Sequence, residues 1–187
     1  MNDNNVHKHN ERVYNRGVDM LRSPDRTERL EVDSVVKLCL NKEIKTVLDI
    51  GTGSALFAGA FYKEGLVVAG IDTNPEMIEA AKQFVPEGRF QIAPAENIPF
   101  SDNSFDLTFF GVVFHEVDDF SAALNEAFRV SSKGTSILEW DYKLEEFGPP
   151  LEHRLKSGFI KDLAMKTGYR GFEEIKLKHL VLYKLSK

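Results

Sequence analysis

Short apolar runs alternate with helical stretches along most of this 187-residue chain, and no other feature restricts its fold as strongly. From Lys45 onward the pattern predicts a strand from Thr46 to Ile50, a helix from Ala55 to Lys63, a strand from Leu66 to Asp72 and a helix from Pro75 to Phe84. It continues with a strand from Phe90 to Ala93, a loop from Pro94 to Ser104, a strand from Phe105 to Gly111, a helix from Phe120 to Val130 and a strand from Thr135 to Asp141. Apolar strands separated by helices pack as a parallel sheet covered on both faces. Crossovers of this kind are right-handed, so the predicted class is α/β, a Rossmann-like, doubly wound, mostly parallel sheet with its ligand crevice at the carboxyl ends of the strands.

The two ends of the chain read differently. Residues 1–22 are polar and lack clear periodicity, which predicts a mobile arm or lid ahead of one domain spanning 23–187. Ser23-Pro24 has the form of a helix start, and Val32, Val35, Val36, Cys39 and Leu40 supply an apolar stripe at helical spacing. Beyond Pro149-Pro150 the sequence predicts a helix from Leu151 to Thr167, then strands near Phe172 to Leu177 and Leu180 to Lys184. Only Lys178-His179 separates those strands, too short a link for a parallel crossover, so they form an antiparallel pair.

Composition removes several classes of function. A net charge of -5 argues against a nucleic-acid partner, because phosphate binding draws on clustered Lys and Arg. The lone Cys39 excludes an intramolecular disulfide and a cysteine-based metal cluster, and it fits a reducing compartment. His7 and His9 lack a third ligand in register, so no metal is expected. The absence of a run of 18 apolar residues and the polar start predict a cytoplasmic protein with no membrane partner.

Chemistry gathers at the strand ends. Val47 to Ala55 reads V-L-D-I-G-T-G-S-A, an apolar strand that ends in Asp49, passes through Gly51 and Gly53 and opens into a helix. Glycine permits positive φ and close approach of a ligand to the backbone. About twenty residues later the second strand ends in Asp72, whose carboxylate suits a pair of ribose hydroxyls, so the two features together point to a nucleoside ligand. A dinucleotide site would want a third glycine where Leu56 stands, which counts against NAD.

The stretches D-I-G-T-G-S-A, G-I-D-T-N-P-E-M, P-A-E-N-I-P-F and D-N-S-F-D-L stand in this order between Lys45 and Tyr142, followed by F-G-V-V-F-H-E and E-A-F-R-V-S-S-K-G-T. This series resembles the class I S-adenosylmethionine-dependent methyltransferases, in particular their type 11 small-molecule group. The resemblance implies S-adenosylmethionine as cofactor and a small-molecule methyl acceptor. Carried over residue by residue, it places Asp49, Gly51 and Gly53 around the methionine part of the cofactor and Asp72 on the ribose, with Thr73 and Met77 beside the nucleoside. Ala95 and Glu96 border the adenine, and Gly111 closes the cofactor site. Ala55 replaces the usual third glycine of the first motif, and Pro94 stands where many relatives carry an acid.

Methyl transfer from a sulfonium needs positioning, exclusion of water and, for some acceptors, removal of a proton. His115, just past the fourth strand, is the candidate base, with a structural histidine bonded to the backbone as the alternative. Trp140 is read either as a binding platform or as a core aromatic, and His153 and Arg154 either as an anion site or as a solvated helical face. A non-catalytic cofactor-binding regulator and an NAD-dependent oxidoreductase are the competing functions.

Overall fold

The computed structural model describes residues 17–187, so the His7 and His9 reading and most of the predicted arm lie outside the described residues. Seven strands form one sheet in the order β3-β2-β1-β4-β5-β7-β6. They are β1 (Thr46–Ile50), β2 (Val67–Asp72), β3 (Arg89–Ile92), β4 (Phe105–Gly111), β5 (Ser131–Trp140), β6 (Gly171–Lys176) and β7 (Leu180–Ser186). The first five pair in parallel, and β7 runs antiparallel to both β5 and β6. Winding reverses between β1 and β4, and at such a switch point the connections leave in opposite directions and open a crevice.

Alternation along the strands supplies the two faces. Val47, Val68, Leu107 and Phe109 join one core with α3 (Val32–Cys39), α4 (Leu56–Lys63) and α5 (Pro75–Phe84). Leu48, Ile50, Ile71 and Phe110 join the other with α6 (Phe120–Val130) and α7 (Ser157–Thr167). Cys39 is buried in the first core, where desolvation pushes its thiol up to about 12 and leaves it unreactive.

Several boundaries differ from expectation. The helix expected from Pro24 starts there as α2 (Pro24–Arg29), after the short α1 (Val18–Leu21), yet the Ser23 side chain does not cap it and donates instead to the Met20 carbonyl. α2 and α3 are separated by Leu30 and Glu31, the latter held at φ 49°. The long helix predicted from Leu151 resolves into a single 3-10 turn (Leu151–His153) and α7, because Arg154 and Leu155 pack inward between them. β5 begins directly after α6, four residues before the predicted start.

The motif residues Glu126 and Arg129 form a clamp on the loop from Pro94 to Ser104. Ile98 N–H donates to Glu126 at 2.8 Å, and Arg129 donates to the carbonyls of Ile98 and Phe100 at 2.9 and 2.8 Å and to Asp102 at 2.8 Å. Replacing Arg129 by Met is expected to destabilise the fold by about 2–3 kcal/mol, since charge-assisted bonds are lost and loop carbonyls are left unpaired. Urea unfolding of the two proteins checks this, and an unchanged midpoint with an unchanged slope contradicts it.

Candidate functional site

Of the groups that the sequence singled out for the cofactor, Asp49, Gly51, Gly53 and Gly111 line one cleft at the reversal of winding, Asp72 ends the neighbouring β2 with Thr73 and Met77 after it, and Ala95 and Glu96 follow β3. The loop after β1 turns through Gly51 at φ +68° and Gly53 at φ +52°; at Gly51 an added Cβ would lie 2.6 Å from the Val113 side chain. Ala55 follows at φ 59°, so alanine does occupy the left-handed position where relatives use glycine, at the cost of local strain. Val112, after β4, also holds positive φ, at 55°; a β-branched residue in this region is strained, and such strain collects at ligand sites.

Asp72 joins the two halves of the site. Its Oδ2 accepts a bond from Gly53 N–H at 2.8 Å and its Oδ1 one from Asn74 N–H at 2.9 Å. Burial raises its pKa, while bonds from Asn74, Gly53 and Thr73 N–H act in the opposite direction. Met77 is buried on the following helix. Asp49 is buried beneath the glycine loop, where Oδ2 accepts from the Thr52 hydroxyl at 2.8 Å and from Ala58 N–H at 3.1 Å. Desolvation outweighs those bonds and pushes its carboxyl up to about 7.

A cleft of about 50 Å³ opens among Asp49, Gly51, Gly53, Ser54, Gly111 and Val112. Leu21, Arg26 and Leu30 cover it from the other side. The sequence reading missed all three, because they belong to no motif and reach the glycine loop only through tertiary packing; Ser54 stood within the first motif but was not singled out. Arg22 fastens this cover, donating to the Ser54 carbonyl at 2.7 Å and stacking 4.0 Å above the centre of the Phe84 ring. A larger open groove of about 550 Å³ runs along α5 past Glu79 and Phe84, away from the glycine loop.

Ala95 and Glu96 sit in the clamped loop, and Glu96 Oε1 accepts from Asp118 N–H at 2.9 Å and Asp119 N–H at 3.2 Å. Glu96 therefore ties this loop to the start of α6. Across the crevice, His115 and Glu139 are both buried. The His115 Nδ1 lies 2.8 Å from Glu139 Oε2, and its backbone N–H donates to Glu139 Oε1 at 3.0 Å. The Nδ1 partner is a carboxylate on β5. Glu116 lies 3.7 Å from Nε2.

Two acceptor-side expectations are corrected. Trp140 is 6% exposed and packs in the core under Gly148, where an added Cβ would lie 2.7 Å from its ring; it offers no platform. Arg154 is buried and donates to the carbonyls of Pro149, Asp141, Lys143 and Phe147, so its guanidinium holds the loop after β5 and has no role in recognising an anion. His153 lies in the 3-10 turn beside it.

A doubly wound sheet with a glycine loop after β1, an acid ending β2 and an antiparallel terminal pair defines the class I S-adenosylmethionine-dependent methyltransferase architecture. Residues 48–138 match the family described as Methyltransferase domain, and in fold and sequence the chain is similar to the class I S-adenosylmethionine-dependent methyltransferases. Its sequence is 33% identical over 110 residues to the ubiquinone/menaquinone biosynthesis C-methyltransferase of Geotalea daltonii, covering 54% of this chain and 47% of that one. It is 31% identical over 111 residues to the malonyl-[acyl-carrier protein] O-methyltransferase of Erwinia billingiae, covering 59% and 44%. The chain thus spans about half the length of these curated relatives. The crystal structure of a SAM dependent methyltransferase from Aquifex aeolicus superposes with a TM-score of 0.82 at 26% identity, covering 90% of this chain and 96% of that one.

The family cofactor is S-adenosylmethionine, and the residues present fit it. The Asp72 carboxylate, bonded to Gly53 N–H through one oxygen and to Asn74 N–H through the other, is an acceptor of the kind ribose hydroxyls need at the end of a second strand. The Ser54 hydroxyl is buried in the cleft with no hydrogen-bond partner among the described residues. Leu56, lining the same cleft, puts bulk where a dinucleotide pyrophosphate needs glycine. Among the described residues, no helix is long and apolar enough to cross a membrane and no cluster of metal-ligating side chains occurs.

Proposed function

We propose that this chain transfers the methyl group of S-adenosylmethionine to a small-molecule acceptor. One observation carries the reading: the glycine loop and Asp72, joined by the Gly53 to Asp72 bond, meet at the switch point of the sheet. The bound cofactor supplies an electrophilic methyl group on a sulfonium. Asp72 holds the ribose, with Thr73 and Met77 beside it; Asp49, Gly51 and Gly53 surround the amino-acid end; Ala95, Glu96 and Gly111 close the remaining sides. The short α1 segment covers the cleft as a lid, with Leu21 packed 3.5 Å from where a Gly53 Cβ would stand. Exclusion of water in this way keeps the transfer from being lost to hydrolysis.

His115 is the proton acceptor for the incoming nucleophile, and Glu139 is its positioning residue. With Nδ1–H donated to Glu139, the lone pair lies on Nε2. Relatives named for both a carbon and an oxygen acceptor agree with a site that removes a proton and leaves acceptor choice to the surrounding loops.

Isothermal titration with S-adenosylmethionine and S-adenosylhomocysteine, with NAD as control, tests the cofactor part. Saturable binding of the sulfur compounds alone supports it, while NAD binding alone reverses it; turnover in an acceptor screen then separates an enzyme from a regulator. The same titration carries a pH signature. The folded apoprotein favours protonated Asp49, so this group stabilises the fold fully below its unfolded pKa near 4, and that contribution is lost as pH rises through about 7. A ligand ammonium beside Asp49 favours the anion. Affinity is therefore expected to rise between pH 6 and pH 8 with protons released on binding, and Asp49→Asn should abolish the release; equal heats in buffers of different ionisation enthalpy would contradict this.

A further inference from the structure

The sheet ends on one side in β6, which pairs with β7 and has no neighbour on its other side among the described residues. Such an edge offers a row of backbone donors and acceptors to another strand, and folds blunt it by keeping the strand short, bulged or charged in a way that repels a second copy. β3, at the opposite edge, has four residues, whereas β6 has six and reads G-F-E-E-I-K. Glu173, Glu174 and Lys176 are exposed on it, and Ile175 is half-buried.

The turn after β6 decides which of its backbone groups point outward. Leu177 N–H donates to the Leu180 carbonyl at 2.9 Å, so with the strand's period of two the groups of Ile175 and Glu173 also face β7. The N–H and C=O of Glu174 and Lys176 therefore face the open edge. Side chains alternate across the sheet with the same period: Ile175 and Leu177 pack against the core beside α3 and α4, and Phe172 against the core beside α6 and α7. Glu174 and Lys176 share the Phe172 face, where they lie 3.2 Å apart.

We propose that β6 is a self-association edge, which pairs antiparallel with β6 of a second copy of this chain about a twofold axis through Ile175. In that register Glu174 lies opposite Lys176 of the partner subunit, and Lys176 opposite the partner's Glu174. Both pairs join residues whose N–H and C=O face outward, so each exchanges two backbone bonds and sets opposite charges side by side on one face. Ile175 meets its own copy between them, at the position of closest side-chain approach. Moving the axis by one residue sets Glu174 against Glu174 or Lys176 against Lys176, and like charges directly opposite are unfavourable, so charge selects the register. Lys176 already bonds Asp141 at 2.8 Å, and an ammonium with three donors can serve both its own strand's carboxylates and an incoming one. The contact is isologous and small, so the dimer is weak, with a dissociation constant of roughly 10–500 µM.

Sedimentation equilibrium of the full chain between about 5 µM and 1 mM is expected to show a monomer–dimer equilibrium. Hydrogen exchange followed by NMR should show protection of the Glu174 and Lys176 amides that grows with protein concentration. Glu174→Lys and Lys176→Glu each place like charges at both crossings and should weaken the dimer by roughly 10-fold or more, while the double reversal should return the dissociation constant to within about threefold of the unaltered protein. Glu174→Pro removes an outward N–H from each copy, and with it half of the backbone bonds, at an edge position where proline is tolerated; it too should abolish association. Melting curves establish that each variant is folded. A chain that stays monomeric across the range, a dimer that either single reversal leaves as tight, or a double reversal no tighter than the single ones overturns the assignment.

Discussion

Asp72→Ala is expected to weaken S-adenosylmethionine binding by about 2–4 kcal/mol, on the order of 30- to 1,000-fold, from the loss of two charge-assisted bonds to the ribose. The variant also releases Gly53 N–H and Asn74 N–H from their acceptor, which loosens the glycine loop on one side and the start of α5 on the other. Asp72→Asn separates these contributions. It keeps an acceptor for one of the two backbone donors and loses the charge, so it should retain most of the thermal stability and still bind weakly. Because burial raises the pKa of Asp72, neutralising it costs the apoprotein little, and the loss should appear chiefly in the ligand complex. Calorimetric titration alongside a melting curve checks both halves. Full affinity in a folded Asp72→Ala protein would remove the ribose from this carboxylate and with it the proposed site.

Glu139→Leu should be among the most destabilising single substitutions in the chain. Both Glu139 oxygens are committed to His115, one to the ring and one to the backbone N–H, and neither residue can reach solvent readily to replace them. Removing one partner of a buried pair costs about 3–5 kcal/mol, and for a chain of this size that lowers Tm by roughly 6–20 °C. Glu139→Gln retains an acceptor for one of these groups and should cost less. Its diagnostic effect is on the ring, because the amide offers one acceptor oxygen for the two His115 groups, so Nδ1–H either loses its acceptor or keeps only an uncharged one. Nitrogen-15 NMR of the histidine rings reads tautomer and pKa directly, without an acceptor substrate. A His115 resonance with the same tautomer and pKa in Glu139→Gln would reduce Glu139 to a structural link between β4 and β5.

Much of this architecture was legible in the chain, element by element. The apolar run Val47 to Ile50, flanked by helical periodicity, announced β1, and Lys178-His179 was too short to allow a parallel return, so β6 and β7 had to be antiparallel. Where the pattern failed, long-range contacts outweighed local preference. Leu151 to Thr167 has helical composition, yet Arg154 gains four backbone carbonyls by leaving the helix, and the element breaks there. Ser23 has the identity of a cap and a different partner, since a hydroxyl takes whichever carbonyl lies nearest.

The same division runs through the site. Sequence by itself determined the loop of Gly51 and Gly53, the acid at Asp72 and the order of the family stretches, because strand ends, positive φ and a carboxylate about twenty residues on are all local or fixed-spacing properties. Tertiary structure alone decided that Glu139 would hold His115, that Arg154 and Trp140 would be occupied in the loop and core, and that Arg26 and Ser54 would face one cleft. His115 and Glu139 lie 24 residues apart along the chain, and the Arg154 contacts, 5 to 13 residues away in an irregular loop, follow no periodicity. They arise only when the winding reverses between β1 and β4 and the helices on one face are pressed onto the loop at its edge.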